Sequence, residues 1–137
     1  MTPRSESFWD AIDRIRASDP RFRREAYGFV MMALGLTAEA LPPERRNDPE
    51  RRHLTGEELL RGVAALARRE FGPMAPTVFG EWGVLTSADV GELVFQLVEN
   101  GQLSARPEDR REDFLTGAPL MTRLGDGNPL GAPRGPS

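Results

Sequence analysis

Residues 55–73 have the sequence TGEELLRGVAALARREFGP, which contains the start, the buried face and the end of one helix. Thr55 and Glu58 have the spacing of a capping box, in which each side chain accepts a hydrogen bond from the other residue's backbone N–H. Apolar residues recur at helical spacing through Phe71 and predict one buried face. Glycine followed by proline at 72–73 is a typical helix stop. We therefore predict a helix from about residue 55 to residue 71.

Helical periodicity continues on both sides of this stretch. Four further helices are predicted at about 7–17, 23–41, 74–83 and 86–101. The second of these carries a wide apolar stripe, which is typical of a central helix. Thr86 and Asp89 repeat the capping-box spacing, and Gly83 ends the short helix before them. The fold class is therefore mainly α, with about five helices in a compact bundle.

The C-terminal part of the chain loses this rhythm. Residues 103–105 and 112–115 favour two short strands of a β-hairpin. Helix, corner, helix and hairpin together make this half helix-turn-helix-like and similar to a winged helix. Residues 116–137 are rich in glycine and proline and predict a disordered tail. We expect one α-helical domain at 1–115, interrupted by a polar loop at 42–53, followed by the flexible tail at 116–137.

Composition excludes several classes of chemistry. The 137 residues include no cysteine, no lysine and one histidine, His53. Disulfides, thiolate metal sites, Schiff-base chemistry and a Walker-type phosphate lysine are therefore excluded. No nucleophile elbow, dinucleotide fingerprint or second imidazole ligand is present, so we predict no enzyme, cofactor or metal site. The N-terminus has no secretory signal and no apolar run approaches membrane-spanning length, which predicts a cytoplasmic protein.

The charge pattern argues against a DNA-binding winged helix. Net charge is −3, and all 18 basic residues are arginine. Residues 87–100, which occupy the position of a recognition helix, contain three acidic residues and no basic residue. Such a helix meets phosphate repulsion and offers no bidentate contact to guanine. Three alternatives are kept: nucleic-acid or ribosome binding through the arginine-rich N-terminal half, a carboxylate-based metal or small-molecule site, and a purely structural subunit.

Several short motifs resemble a known group of proteins. They are Asp19-Pro20-Arg21-Phe22, Tyr27-Gly28-Phe29-Val30, Thr55-Gly56-Glu57-Glu58-Leu59-Leu60, Phe71-Gly72-Pro73-Met74-Ala75, Glu81-Trp82-Gly83, Gly91-Glu92-Leu93-Val94-Phe95, Leu97-Val98-Glu99-Asn100-Gly101, Glu108-Asp109 and Asp113-Phe114. Across about 100 residues the chain resembles the Minf-type family of uncharacterised conserved bacterial proteins. The resemblance implies a cytosolic bacterial protein and supplies no catalytic residue.

The strongest functional hypothesis from the residues is a non-enzymatic protein-interaction module. The segment after residue 73 has more apolar bulk than one short helix and one corner need, and arginines follow it closely. Apolar surface rimmed by arginine is typical of protein interfaces. The predicted interaction residues are Met74, Phe79, Trp82, Val84, Phe95, Arg110 and Arg111. The predicted partner is another protein or a second copy of the chain.

Overall fold

The computed structural model describes residues 7–103, 111–115 and 117–125. These residues form helices joined by short connections, and none of them forms a strand. The α-helices are α1 (Phe8–Ser18), α2 (Arg24–Glu39), α3 (Pro43–Arg46), α4 (Gly56–Phe71), α5 (Ala75–Trp82), α6 (Ser87–Glu99) and α7 (Leu120–Leu124). Two 3₁₀ turns cover Gly72–Met74 and Arg111–Phe114. The predicted mainly α fold is confirmed.

Helix ends follow the local signals where those signals are strong. The Thr55 and Glu58 side chains both make the hydrogen bonds of a capping box at the start of α4. Thr86 and Asp89 do the same at the start of α6. Gly83 ends α5 with φ at 85°, a left-handed conformation that other residues adopt only with strain. These ends depend on contacts within four residues, so the sequence predicts them.

α2 and α4 are antiparallel and make the most extensive helix pair of the bundle. Thr37 lies against Gly62 near one end of the pair, and Phe29 stacks on Phe71 near the other, with ring centroids 5.6 Å apart. Helix α6 packs against both helices. Leu60, from α4, is fully buried in the resulting core. Burial of this apolar surface is the main favourable contribution to folding.

A buried polar chain joins α2 to α6 and to the end of α1. The Tyr27 hydroxyl donates to Gln96 Oε1 at 2.5 Å, and Gln96 Nε2 donates to Asp19 Oδ2 at 3.0 Å. Burial, assisted by the negative charge of Asp19, raises the pKa of Tyr27 to about 12. The Tyr27 hydroxyl and both side-chain polar atoms of Gln96 have partners in these contacts, so they orient the helices without leaving any of these atoms unpaired.

Two predictions for the C-terminal part are wrong within the described residues. Residues 112–114 belong to a 3₁₀ turn rather than a strand, because Phe114 inserts against Gly91 of α6. Residues 120–124 form α7 rather than a disordered tail, because Leu120 and Leu124 bury their side chains in the core. The first predicted strand lies mostly outside the described residues, as does the tail beyond residue 125.

The predicted polar loop at 42–53 contains the one-turn helix α3 but is otherwise non-helical. Within the described ranges, no helix is both long enough and apolar enough to cross a membrane.

Candidate functional site

The predicted interaction residues separate into different places. Phe79 is 2% exposed and packs in a cluster of four aromatic rings with Phe29, Phe71 and Trp82. Phe29 and Trp82 have ring centroids 5.4 Å apart, which fixes the indole inside this cluster. Val84 is buried as well. The apolar bulk of this segment therefore packs mainly in the core.

The other predicted residues do not complete that surface. Met74 is 55% exposed, but Phe95 lies elsewhere and makes an edge-on contact with Phe114 at 6.1 Å. Arg110 lies outside the described residues. Arg111 begins the second 3₁₀ turn, and its side chain also lies outside what the structure describes. Of the predicted set, Phe95 is the residue that borders a substantial groove.

A groove of about 370 Å³ opens where α2, α4 and α6 meet. Its floor is apolar and comes from the end of α2, the start of α4 and the outer side of α6. The floor residues are Leu34, Ala38, Leu41, Leu59, Val94, Phe95, Val98, Leu103 and Phe114. Arg46, Arg52, His53 and Asp113 stand at the rim. We call this the histidine groove, and its size is that of a small-ligand or side-chain pocket.

Arg45 positions the basic part of this rim. Its guanidinium binds both carboxylate oxygens of Glu58, with Nη1 to Oε2 at 2.5 Å and Nη2 to Oε1 at 3.2 Å. Nε also donates to the carbonyl of Arg51, and Nη2 to the carbonyl of His53. Holding the backbone on both sides of Arg52 fixes where the Arg52 and His53 side chains begin.

The ion pair beneath the rim has the expected electrostatics. Hydrogen bonding from Arg45 holds the pKa of Glu58 below its usual value, and Glu58 raises the pKa of Arg45. Glu58 also accepts the Thr55 N–H, so the helix cap and the loop clamp share one carboxylate. A bidentate arginine–carboxylate pair is both stronger and more directional than a single hydrogen bond.

The charges of the two rim arginines are not neutralised by an ion pair with any described residue. Among the described residues, no carboxylate lies within ion-pair distance of Arg46 or Arg52. Arg46 uses one N–H for the backbone carbonyl of Glu39, and Arg52 is exposed. With half-buried His53 beside them, they make one edge of an apolar groove positive. This arrangement is complementary in charge and polarity to an apolar group that carries negative charge at its edge.

The acidic residues that the sequence offers for a metal or small-molecule site are Glu57, Glu58, Glu81, Glu92 and Glu99, and three of them pair with arginines. Glu92 Oε1 lies 3.7 Å from Arg21 Nη2. Glu57 binds Arg123 at 2.7 Å and Arg61 at 2.8 Å, and Glu58 binds Arg45. In the described parts of the chain, no three histidine or acidic side chains are close enough to hold a metal ion. The apolar histidine groove is therefore the better candidate for ligand binding.

Sequence reasoning did not find the histidine groove because four distant segments build it. A weak signal was present: the polar loop is long, carries four arginines and precedes the sole histidine. Long loops of this kind often contribute to function. Which helix faces lie beside that loop depends on how α2, α4 and α6 pack.

Comparison with known protein families, with curated proteins and with solved structures gives no match for this chain. The resemblance to the Minf-type family therefore stays a prediction.

Proposed function

We propose that this protein is a non-enzymatic binding module of the cytoplasm, whose histidine groove receives an acidic amphipathic segment of another protein. The observation that carries the proposal is the pair of rim arginines, Arg46 and Arg52, which lie beside an apolar floor and have no carboxylate partner within the described part of the chain. An amphipathic helix inserts apolar side chains into such a groove, and acids at its edge meet the arginines.

The ordered rim supports this proposal. Arg45 and Glu58 hold the loop before any ligand arrives, so the partner does not have to order it. A preformed site loses less conformational entropy on binding than a disordered loop does. The cost of binding is then borne mainly by the partner segment.

The charge distribution favours a protein over a nucleic acid. Several exposed arginines are already paired with acids, for example Arg24 with Asp13 and Arg61 with Glu57. A protein surface that binds nucleic acid instead presents a continuous stripe of basic side chains without acidic partners. Here Arg46 and Arg52, which have no carboxylate partner among the described residues, lie beside an apolar groove, and this combination suits an amphipathic peptide.

The test uses a fluorescent helical peptide with leucines along one face and glutamates on the flanks. We expect saturable binding, and we expect the Arg52→Glu variant to bind about threefold to tenfold more weakly. Arg23→Glu is the matched control, because Arg23 is also exposed and lies outside the groove. Ala38→Phe should fill the groove and abolish binding while the melting temperature is retained.

Equal effects of Arg52→Glu and Arg23→Glu would overturn the proposed site. Binding of decanoate in the groove without binding of the peptide would assign it to a small amphiphilic carboxylate instead. Binding of a labelled RNA that weakens steeply with salt, unaffected by Ala38→Phe, would favour the nucleic-acid alternative.

A further inference from the structure

A second apolar surface runs along the outer side of α2 and α4. We define the α2–α4 face by Met32 and Leu36 of α2, Ala40 directly after α2, and Arg61, Ala65 and Arg69 of α4. An open depression of about 560 Å³ lies between the two helices. Met32 is 55% exposed and Leu36 42%, although α2 is the central helix of the bundle.

The two edges of this face have opposite charge. Glu25, Met32 and Glu39 are seven residues apart and lie along one line of α2, on the side away from α4. Arg61, Ala65 and Arg69 are four residues apart and form the other edge, on α4, where Arg61 pairs with Glu57 and Arg69 with Glu70 while most of each arginine side chain stays exposed. Within the described residues, neither Glu25 nor Glu39 has an arginine side chain at ion-pair distance.

The antiparallel packing of α2 and α4 sets the positions of these charged residues along the helix axes. Thr37 lies against Gly62, so Arg61 is at nearly the same height along the helix pair as Glu39. One acid and one arginine therefore face each other across the apolar strip at the same end. This relationship makes the face complementary to itself.

We propose that the α2–α4 face joins two copies of this chain into a two-fold symmetric dimer. A two-fold axis parallel to α2 keeps each residue at its own height and exchanges the two edges. Glu39 of each copy then meets the partner's Arg61, and α2 of each copy lies on the partner's α4. Leu36 is buried in the middle, and Met32 is covered at the acidic edge between the two glutamates.

The charges favour a second copy over an unrelated partner. A face with one sign of charge fits a partner of the opposite sign, whereas this face carries both signs on opposite edges. Arg61 is 74% exposed and uses Nε for Glu57, so its other N–H donors can serve the partner's Glu39. The proposal does not depend on the histidine groove, since none of the six residues that define the face lines the groove, and the depression between the helices shares only Leu41 with it.

The experiment is sedimentation of the full chain over about 1 μM to 1 mM protein. We expect a monomer–dimer equilibrium whose dissociation constant rises about tenfold or more in Met32→Glu. Leu85→Glu is the matched control, because Leu85 is exposed to the same 55% and lies outside the face. Circular dichroism and thermal melting confirm that each variant is folded.

A charge exchange tests the geometry. Glu39→Arg and Arg61→Glu should each weaken the dimer, and the double variant should restore it, since the exchanged pair has the same sites with reversed sign. A monomeric wild type across the whole range would overturn the proposal. An equal loss in Leu85→Glu, or no restoration in the double variant, would also overturn it.

Discussion

Gly62 of α4 and Thr37 of α2 touch so closely that a Cβ at position 62 would overlap the Thr37 hydroxyl. That hydroxyl is held by a hydrogen bond to the carbonyl of Ala33 at 2.6 Å. The close approach brings the backbones of the two central helices together. It also sets the height of Arg61 relative to Glu39, on which the proposed dimer depends.

Gly62→Ala should therefore destabilise the protein although alanine is the better helix former. Overpacking of this contact costs about 1–3 kcal/mol, against a propensity gain of at most about 1 kcal/mol. Gly35→Ala is the matched control, because Gly35 is also inside a helix and a Cβ there meets nothing. It should stabilise by about 0.4–1 kcal/mol. Urea unfolding measures both, and equal shifts would contradict the close contact.

Leu124→Ala should cost about 2–5 kcal/mol of unfolding free energy, because Leu124 is 2% exposed in the core. Leu115→Ala, at a leucine that is 65% exposed, should change it by less than about 0.5 kcal/mol. Thermal or urea unfolding of the two variants gives the comparison. If both behave alike, α7 does not pack as the structure describes.

The ion pair that holds α7 to α4 should make stability depend on acid. Hydrogen bonding from Arg123, and then from Arg61, lowers the pKa of Glu57 from 4.5 to about 2. The carboxylate is ionised in both folded and unfolded chains above pH 4.5, so its stabilisation is complete there. Between about pH 4.5 and 2 the unfolded chain takes up the proton first, and the unfolding free energy falls.

Urea unfolding at a series of pH values tests this dependence. Glu57→Gln should be less stable than wild type at neutral pH and should lose less stability on acidification. Glu25→Gln, at an exposed acid outside any described ion pair, should follow the wild-type curve. A Glu57→Gln curve parallel to wild type down to pH 2 would show that Arg123 does not hold this carboxylate.

Tyr27 is the single tyrosine of the chain, so its ionisation can be followed directly by tyrosinate absorbance. Burial raises its pKa from 10.0 to about 12. Because the folded protein holds the Tyr27 proton more tightly than the unfolded chain does, the contribution of Tyr27 to the unfolding free energy is fully present below pH 10. This contribution is lost as the pH rises from about 10 to 12. At pH 11 the folded protein should remain mostly un-ionised, whereas the chain in urea should be mostly tyrosinate. Ionisation of the folded chain near pH 10 would contradict the buried contact with Gln96.

Tyr27→Phe tests the same contact at neutral pH. Removing the hydroxyl leaves Gln96 Oε1 without this donor in a buried place, which costs about 1–3 kcal/mol. In the Tyr27→Phe variant, the additional change Phe8→Tyr introduces a tyrosine away from the hydrogen bonds of Gln96 and Asp19. This double variant serves as the control for the absorbance assay.

Local sequence signals are sufficient to predict the helical class and the ends of the best-capped helices. Thr55 with Glu58, and Thr86 with Asp89, each satisfy backbone N–H groups within a few residues, so no distant contact is needed to place the start of α4 or α6. The stop at Gly83 is equally local, because its positive φ belongs to the residue itself.

Which surfaces these helices share depends on contacts between segments that are far apart in the chain. Leu120 and Leu124 become helical because a hydrophobic core receives them, which the glycine and proline around them conceal in the sequence. Phe79 and Trp82 pack against each other and against Phe29 rather than facing solvent. The histidine groove and the α2–α4 face both depend on packing between segments far apart in the chain, and periodicity within one helix carries no information about its neighbours.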